Sequence, residues 1–372
     1  MKGVFLQKNL TEGLKKVSHL ASIGKESLPI LNNILIRAEK GLLYIVSTNL
    51  EIAIETYIRG KIEKTGSFTI PANLFSSHLN FLPILPNDSI KLEVIENELC
   101  LKYKNGETKI KGLPAEDFPI IPRLEKKDGI KILGKELKKS LQQVIIATPT
   151  SESRPEISGV LFNQKEKNLV LVGTDSYRLA EKVIEIKNSA EEGEGSKKTI
   201  IPIKTCQELL RILEDDEVEI FFSESQSLFS QGSTSLISRI IQAEFPNYQE
   251  IIPKNFRTKV SVNKENLAKT IKGASLFSKF GVNDISFDFL PEKQKIIISS
   301  LNPQLGGVKL EVEAEVFGEK NSLSFNYRYF LEGLMSVPTD EINLEIIDDS
   351  SPVIIKPTSE EKFIYLLMPI KT

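Results

Sequence analysis

Side chains able to do covalent or metal chemistry are few in this chain of 372 residues, and they are not grouped. His19 and His78 fall on helical stretches, and neither has a Cys, an Asp or a second His at metal-ligand spacing. No GxxxxGKS/T or GxGxxG run prepares a phosphate cradle, and Gly306-Gly307 reads as a bulge at a strand turn. Asp175-Ser176 begins like an aspartic-protease signature, but Tyr177 fills the place of the required Gly. No nucleophile–base pair can be assembled, so catalysis, a metal and a cofactor are all unexpected. The residue types that do point to a chemistry are cations: Lys15, Lys16, Lys138, Lys139, Lys204, Arg211, Lys264, Lys269, Lys272 and Arg328. Each lies on the polar side of an amphipathic stretch. A basic lining without aromatic platforms suits a phosphate backbone rather than base edges, and it holds duplex DNA without reading sequence. The chain has no Trp, and its Tyr residues do not interleave with the lysines, which argues against single-strand stacking.

The elements that must position these cations repeat. The stretch Val160–Lys182, VLFNQKEKNLVLVGTDSYRLAEK, has a counterpart 126 positions earlier from Ile34 and another 126 positions later from Ser286, each without a gap. In every copy two strand-like runs flank a polar turn, and the second run ends on a small hydroxyl residue: Thr48, Thr174 or Ser300. A period of this length is a domain, not a solenoid unit. The expected domains are 1–124, 125–254 and 255–372. The sister copies carry Asn49-Leu50 and Leu301-Asn302 where this one has Asp175-Ser176, which argues against a paired-carboxylate site.

Within each copy the order is helix, strands, helix, strands, so the chain reads as six similar halves. Leu10, Leu14, Val17 and Ala21 form the inward stripe of the first helix; Leu137, Leu141 and Val144 serve a helix over about 135–147; Leu267, Ile271 and Ala274 serve the third copy. The second helices carry Phe75, Leu79 and Leu82, then Cys206, Leu210 and Leu213, then Phe330, Leu334 and Val337. Pro71 and Pro202 stand at helix starts, where the missing N–H removes no hydrogen bond. In the first copy, strands are predicted over about 89–95, 98–103 and 108–113, separated by turns at Glu96-Asn97 and Asn105-Gly106. The polar run Asn188–Lys198 reads as a solvated hairpin loop. Carboxylates concentrate in strands and loops, cations on helices. If the six helices line one side of curved sheets, the cations share a common space and the acids face away.

Composition sets outer bounds. Forty per cent hydrophobic and 26% charged residues describe an ordinary globular chain, and a formal net charge of −2 carries no global basic signal. A balanced total can still hide opposite signs on two faces. Cys100 and Cys206 are far apart in sequence, which disfavours a disulfide framework and suggests a reducing compartment. No signal-peptide core opens the chain, and no apolar run reaches the roughly 18 residues of a membrane span. A cytoplasmic protein with no membrane partner is expected.

The combination of LPILNNILI (Leu28–Ile36), ISGVLF (Ile157–Phe162), VGTDSYRLA (Val172–Ala180), EFPNYQEIIP (Glu244–Pro253) and terminal YLLMPIKT resembles the bacterial DNA polymerase III β subunit, or β sliding clamp, family along the whole chain. The resemblance implies an α+β fold of three tandem clamp domains, each with two helices lining an inner face and antiparallel sheets outside. It implies a head-to-tail homodimer closed into a ring around double-stranded DNA, acting as a processivity factor. It further implies a hydrophobic groove for short linear motifs of the polymerase α subunit, the clamp loader and repair proteins. The matching groove positions are Ile157, Thr174, Tyr177, Arg178, Leu179, Pro246, Ile251, Leu366, Met368 and Pro369, with Arg178 offering polar anchorage at the rim. The family's DNA-touching arginine before LPIL stands here as Lys25, and Arg154 keeps a DNA-facing place beside Pro155-Glu156, where the family has an aromatic pair. Other departures are Ser176-Tyr177 for Gly-His, Glu250 for Arg, and Ile370-Lys371-Thr372 for Met-Arg-Leu. The competing reading is a non-enzymatic repeat scaffold for protein–protein interaction that encircles no DNA.

Overall fold

The computed structural model describes residues 1–23, 28–82, 85–186, 197–359 and 362–371. Six α-helices form among them: α1 Gln7–Ile23, α2 Ala72–Phe81, α3 Gly134–Ile145, α4 Ile203–Ile212, α5 Lys264–Ser275 and α6 Tyr327–Ser336. Five bury the stripe their spacing predicts: Leu10, Leu14 and Val17 on α1, Phe75 and Leu79 on α2, Leu137, Leu141 and Val144 on α3, Leu267, Ile271 and Ala274 on α5, and Phe330 and Leu334 on α6; on α4 the expected Leu210 is only half-buried, and Leu209 takes its place beside Cys206 and Leu213. The helices start where strands end. Asn263 caps α5 by accepting the Asn266 N–H at 3.1 Å, and Asn326 does the same for Arg328 of α6 at 3.0 Å.

The chain packs as two compact units. One holds Met1–Lys135 and Gln207–Ile240; the other holds Glu136–Cys206 and Ile241–Thr372. The first unit contains a five-stranded sheet in the order Lys61–Lys64, Lys2–Leu6, Ser89–Ile95, Glu98–Tyr103, Gly106–Lys111. Its second sheet has eight strands: Ile130–Leu133, Glu217–Phe222, Gln226–Gln231, Thr234–Arg239, Ile52–Arg59, Leu42–Thr48, Asn33–Glu39 and Gly66–Pro71. The second unit contains a nine-stranded sheet in the order Lys197–Pro202, Gly159–Lys165, Asn168–Thr174, Arg178–Glu185, Phe363–Leu367, Val353–Pro357, Glu341–Ile346, Thr258–Asn263, Glu315–Gly318. Its four-stranded sheet runs Gly306–Glu313, Lys295–Asn302, Asp284–Leu290, Asn321–Asn326.

In both large sheets, strands from different sequence copies pair directly. Thr234–Arg239 lies antiparallel to Ile52–Arg59, with Ile237 opposite Ala53 and Leu236 opposite Ile54. Phe363–Leu367 lies antiparallel to Arg178–Glu185, with Leu366 opposite Leu179 and Tyr365 opposite Ala180. Since Ala53 and Leu179 are 126 positions apart, the two joints use the same register.

Two sequence expectations are corrected. Residues 188–196 of the supposed hairpin loop lie outside the described residues, but the strands on either side are not neighbours: Lys197–Pro202 pairs with Gly159–Lys165, and two strands separate it from Arg178–Glu185. The ungapped repeat also fails beyond Ser300. Ser286 pairs with Ser299 as the spacing requires of Leu161 and Val172, shifted by one residue along the same ladder, but Ser300 pairs with Val308 where Thr174 pairs with Leu179. The third copy has a longer turn, closed by the Gln304 N–H donating to Asn302 Oδ1 at 2.9 Å.

Gly333 marks the closest approach of α6 to the nine-stranded sheet. A Cβ there would lie 2.1 Å from Cε1 of Tyr365, whose hydroxyl donates to the Tyr329 carbonyl at 2.9 Å. Tyr365 is fully buried and has no room to retreat. Gly333→Ala is expected to destabilise the protein by about 1–3 kcal/mol through overpacking. Urea unfolding would measure it, and an unchanged midpoint would refute the packing assignment.

Candidate partner groove and nucleic-acid interface

The Thr-Asp-Ser-Tyr-Arg stretch is a tight turn in which the side-chain oxygens of Thr174 and Asp175 are committed. Thr174 Oγ1 donates to the Arg178 carbonyl at 2.7 Å and accepts the Ser176 N–H at 3.2 Å. Asp175 Oδ1 accepts the N–H groups of Tyr177 and Arg178 at 2.9 and 3.0 Å, and Oδ2 accepts Arg178 Nε at 2.9 Å. Asp175 is thus a turn former, not an acid–base group. The first copy repeats the device: Thr48 Oγ1 donates to the Ile52 carbonyl at 2.9 Å, and Asn49 Oδ1 accepts Glu51 and Ile52. The third turn residue is left-handed in both, with φ of 79° at Ser176 and 73° at Leu50. Side chains at that angle are uncommon, and glycine is the residue that adopts it without strain.

The turn delivers the chain into the joint with Phe363–Leu367. Strand alternation then splits the side chains between the two faces. Leu179 and Leu366 enter one face together with Leu161, Val170, Val172, Ile200 and Ile354. Phe245 and Tyr248 cover that face, joined by the half-buried Ile241 and Ile252. Phe245 and Tyr248 meet edge to face at 6.1 Å between ring centroids. Burial, and then the neighbouring Glu181 carboxylate, hold the Tyr248 phenol well above the ordinary tyrosine pKa. At the margin of this apolar floor stand Tyr177, 65% exposed, Met368, 37% exposed, and the exposed Ile251 and Pro246. The Met368 N–H donates to the Tyr177 carbonyl at 2.9 Å and locks the two rim residues together. Pro369 follows, half-buried. The structure therefore brings together Thr174, Tyr177, Leu179, Leu366 and Met368 around one turn and its partner strand.

Two expected groove residues are placed differently. Arg178 does not offer anchorage at the rim. It lies on the opposite face from Leu179, its side chain is 10% exposed, and its guanidinium sits 4.1 Å from the Tyr329 ring centroid of α6 while binding Asp175 and Glu332. It positions the strand against the helix. Ile157 is buried in the one-turn helix Pro155–Ile157 and is not part of the apolar cluster around Leu179. Conversely, Val172, Phe245, Tyr248 and Ile354 belong to the floor and cover; period-two alternation from Leu179 and Leu366 would have pointed to the strand members.

The sister joint shows what makes this one distinctive. At Thr234–Arg239 the Arg239 N–H donates to the Glu51 carbonyl at 2.9 Å, the same contact as Met368 to Tyr177. One frame thus carries a charged rim in one place and an apolar rim in the other. Only the second suits an apolar docking segment.

The helices carry a sign bias. They hold twelve Lys or Arg against five Glu and no Asp, while the whole chain has 48 cations against 50 carboxylates. Lys15, Lys139, Lys204, Lys269, Lys272 and Arg328 are exposed and Lys138 is half-exposed. Lys204 pairs with Glu152 at 2.8 Å and Lys269 with Glu265 at 2.7 Å, both at the surface where such pairs are easily exchanged. Arg211 is committed elsewhere. It donates to the Lys15 and Lys16 carbonyls of α1 at 2.7 and 2.5 Å and to Glu208 at 2.8 Å, and the buried Glu208 also holds His19 at 2.7 Å. Arg154 is exposed but tied to Glu156 at 3.0 Å and to Ser176 Oγ at 2.8 Å. Lys25 lies outside the described residues. Both cysteines are buried and free, and burial pushes the Cys206 thiol up to about 12. Among the described residues no group of three His, Cys, Asp or Glu could hold a metal ion, and no helix is long and apolar enough to cross a membrane.

Tandem strand–helix domains joined through their sheets, with cationic helices and one apolar joint, define the architecture of a DNA clamp. Family models for the DNA polymerase III beta subunit match end to end: the N-terminal domain over residues 1–122, the central domain over 131–247 and the C-terminal domain over 249–371. The chain belongs to this family. The beta sliding clamp of Staphylococcus aureus strain N315 is 30% identical over 375 residues, covering 98% of this chain and 96% of its own. The DNA polymerase sliding clamp of Bacillus subtilis has a solved structure that superposes with a TM-score of 0.93 at 28% identity, covering 100% of this chain and 99% of that one.

Removing the Arg178 side chain would leave Asp175 and the partly exposed Glu332 without their shared cation. Arg178→Ala is expected to destabilise the second unit by roughly 2–4 kcal/mol. Arg178→Lys, which keeps the charge but loses the fork and the ring stack, should recover less than half of that. Equal stability of all three proteins in chemical denaturation would contradict the positioning role.

Proposed function

We propose that this chain is a processivity factor of the replicative polymerase. Two copies close head to tail into a ring around double-stranded DNA, with domains 1–124, 125–254 and 255–372 in each. The ring tethers the polymerase III α subunit, the clamp loader and other motif-bearing proteins through the apolar joint. It is non-catalytic, cofactor-free and cytoplasmic. Lys15, Lys138, Lys139, Lys204, Lys269, Lys272 and Arg328 are the residues that face phosphate, with Lys25 and Arg154 as further contacts; Arg211 acts first as a joint.

The observation that carries this reading is an unfinished symmetry. Two joints between copies are closed within the chain. The strands equivalent to their members are Gly106–Lys111 and Gly306–Glu313, and both are outer edges of their sheets. Repeating the observed joint puts Ile110 opposite Gly307, Lys109 opposite Val308 and Glu107 opposite Leu310. One chain supplies one of each edge, so the joint closes between copies, and a heterologous contact of this kind makes a ring. The helices agree. At the closed joint of the second unit, Gln143 Nε2 donates to the Ser336 carbonyl at 3.2 Å. The equivalent positions are Gly273 and Phe81. Phe81 is 86% exposed, and Gly273 presents no side chain of its own opposite it. Phe280, 99% exposed, adds apolar surface beyond the end of α5.

The double variant Lys109→Cys/Val308→Cys is expected to form disulfide-linked dimers on oxidation, since directly opposed residues lie about 4.5–5.5 Å apart. Neither single variant should do so; an absence of cross-linked dimer would refute this register. Loaded protein should stay on closed circular DNA and run off the linear form. Equal retention on both would favour the repeat scaffold instead. For the groove, Met368→Ala is expected to weaken binding of the cognate α-subunit motif peptide about tenfold while leaving the dimer intact, as fluorescence anisotropy would show.

A further inference from the structure

We infer that the groove selects partner segments with a lysine or arginine beside their apolar anchors, and that Glu250 is the residue that reads it. The inference rests on the groove proposed above. Glu250 lies in the single turn Tyr248–Ile251, between Tyr248, which covers the apolar floor, and Ile251 and Ile252, the latter packed against it. Its side chain is exposed. Asn247 Nδ2 donates to its Oε1 at 2.5 Å, which fixes the carboxylate at the lip and leaves Oε2 unclaimed. Among the described residues no cation lies within ion-pair distance of it.

The cations around the groove leave Glu250 uncompensated. Arg178 is buried and shared between Asp175 and Glu332. Arg154 is matched by Glu156. Glu244, exposed on the same covering segment two residues before Pro246, lines a hollow together with Lys198 and is not part of the reading site. Lys254 and Lys371 are exposed but reach neither carboxylate. An anionic flank on a docking segment beside Glu250 therefore meets a like charge, while a cationic one gains a partner there. Like-charge juxtaposition of this kind sets partner choice more than total affinity.

The test uses the full-length protein and the cognate α-subunit motif peptide in three synthetic forms, with Lys, Gln or Glu at the positions immediately flanking the apolar anchors. At low salt the Lys form is expected to bind about three- to fivefold more tightly than the Gln form, and the Glu form more weakly by a similar factor. The spread should collapse at high salt. Glu250→Gln should shrink the spread and Glu250→Arg should reverse it, with the Gln form binding all three proteins alike. Binding of all three peptides with equal affinity to the wild-type protein would overturn the inference while leaving the groove standing. A failure of every form, the neutral one included, would overturn the groove reading itself and the inference with it.

Discussion

An outer strand of a sheet carries a row of N–H and C=O groups that need partners, and this molecule is arranged around where those partners come from. At two places the requirement is met by a strand from another sequence copy, so large sheets run on across copies. The connection between domains is then a hydrogen-bonded ladder, not a soft patch of side chains. Helix-level contacts, Arg211 to the Lys15 and Lys16 carbonyls and Gln143 to the Ser336 carbonyl, brace the same places from the side. Stability and domain organisation are therefore one problem here. The compact units cut through the second copy because the ladders bind each of its halves to a different neighbour.

The proposed groove is a modification of that joint. The first and second copies share the hydroxyl–Asx turn, the left-handed third residue and the backbone contact across the strand ends. What differs is side-chain chemistry on a fixed frame: Glu51 with Arg239 in one, Tyr177 with Met368 in the other. A thioether and an aromatic ring at the mouth of a leucine-lined floor give an adaptable apolar slot. Thr174 and Asp175 spend their side-chain oxygens within the turn, so these two groups add no competing hydrogen-bond demand at the mouth.

Much of this was legible in the residues. The 126-residue spacing gave the copies, and helical periodicity placed the stripes on Leu10, Leu137 and Phe330 correctly. Thr48 and Thr174 stood out because the same turn needs the same hydroxyl. The misses have physical reasons. Arg178 was assigned to the rim although it neighbours Leu179, and adjacent strand residues face opposite ways. Arg211 looked like a free helix cation because its partners, two main-chain carbonyls and Glu208, are distant in sequence or carry no side-chain signature. The short edge strands Lys61–Lys64 and Glu315–Gly318 are too brief and polar to announce themselves. The extra residues after Ser300 are visible only through pairing, since turn composition tolerates either length.

The stretch from Ile241 to Ile252 is the tether leading from the second copy into the third, and it also roofs the apolar floor. Anything lodged beneath that roof presses at once on the tether and on the ladder between Leu179 and Leu366. An occupant thus acts as a splint across one articulation. The joint at Ala53 and Ile237 has an ionic mouth, Glu51 with Arg239, and no aromatic ring or thioether stands there.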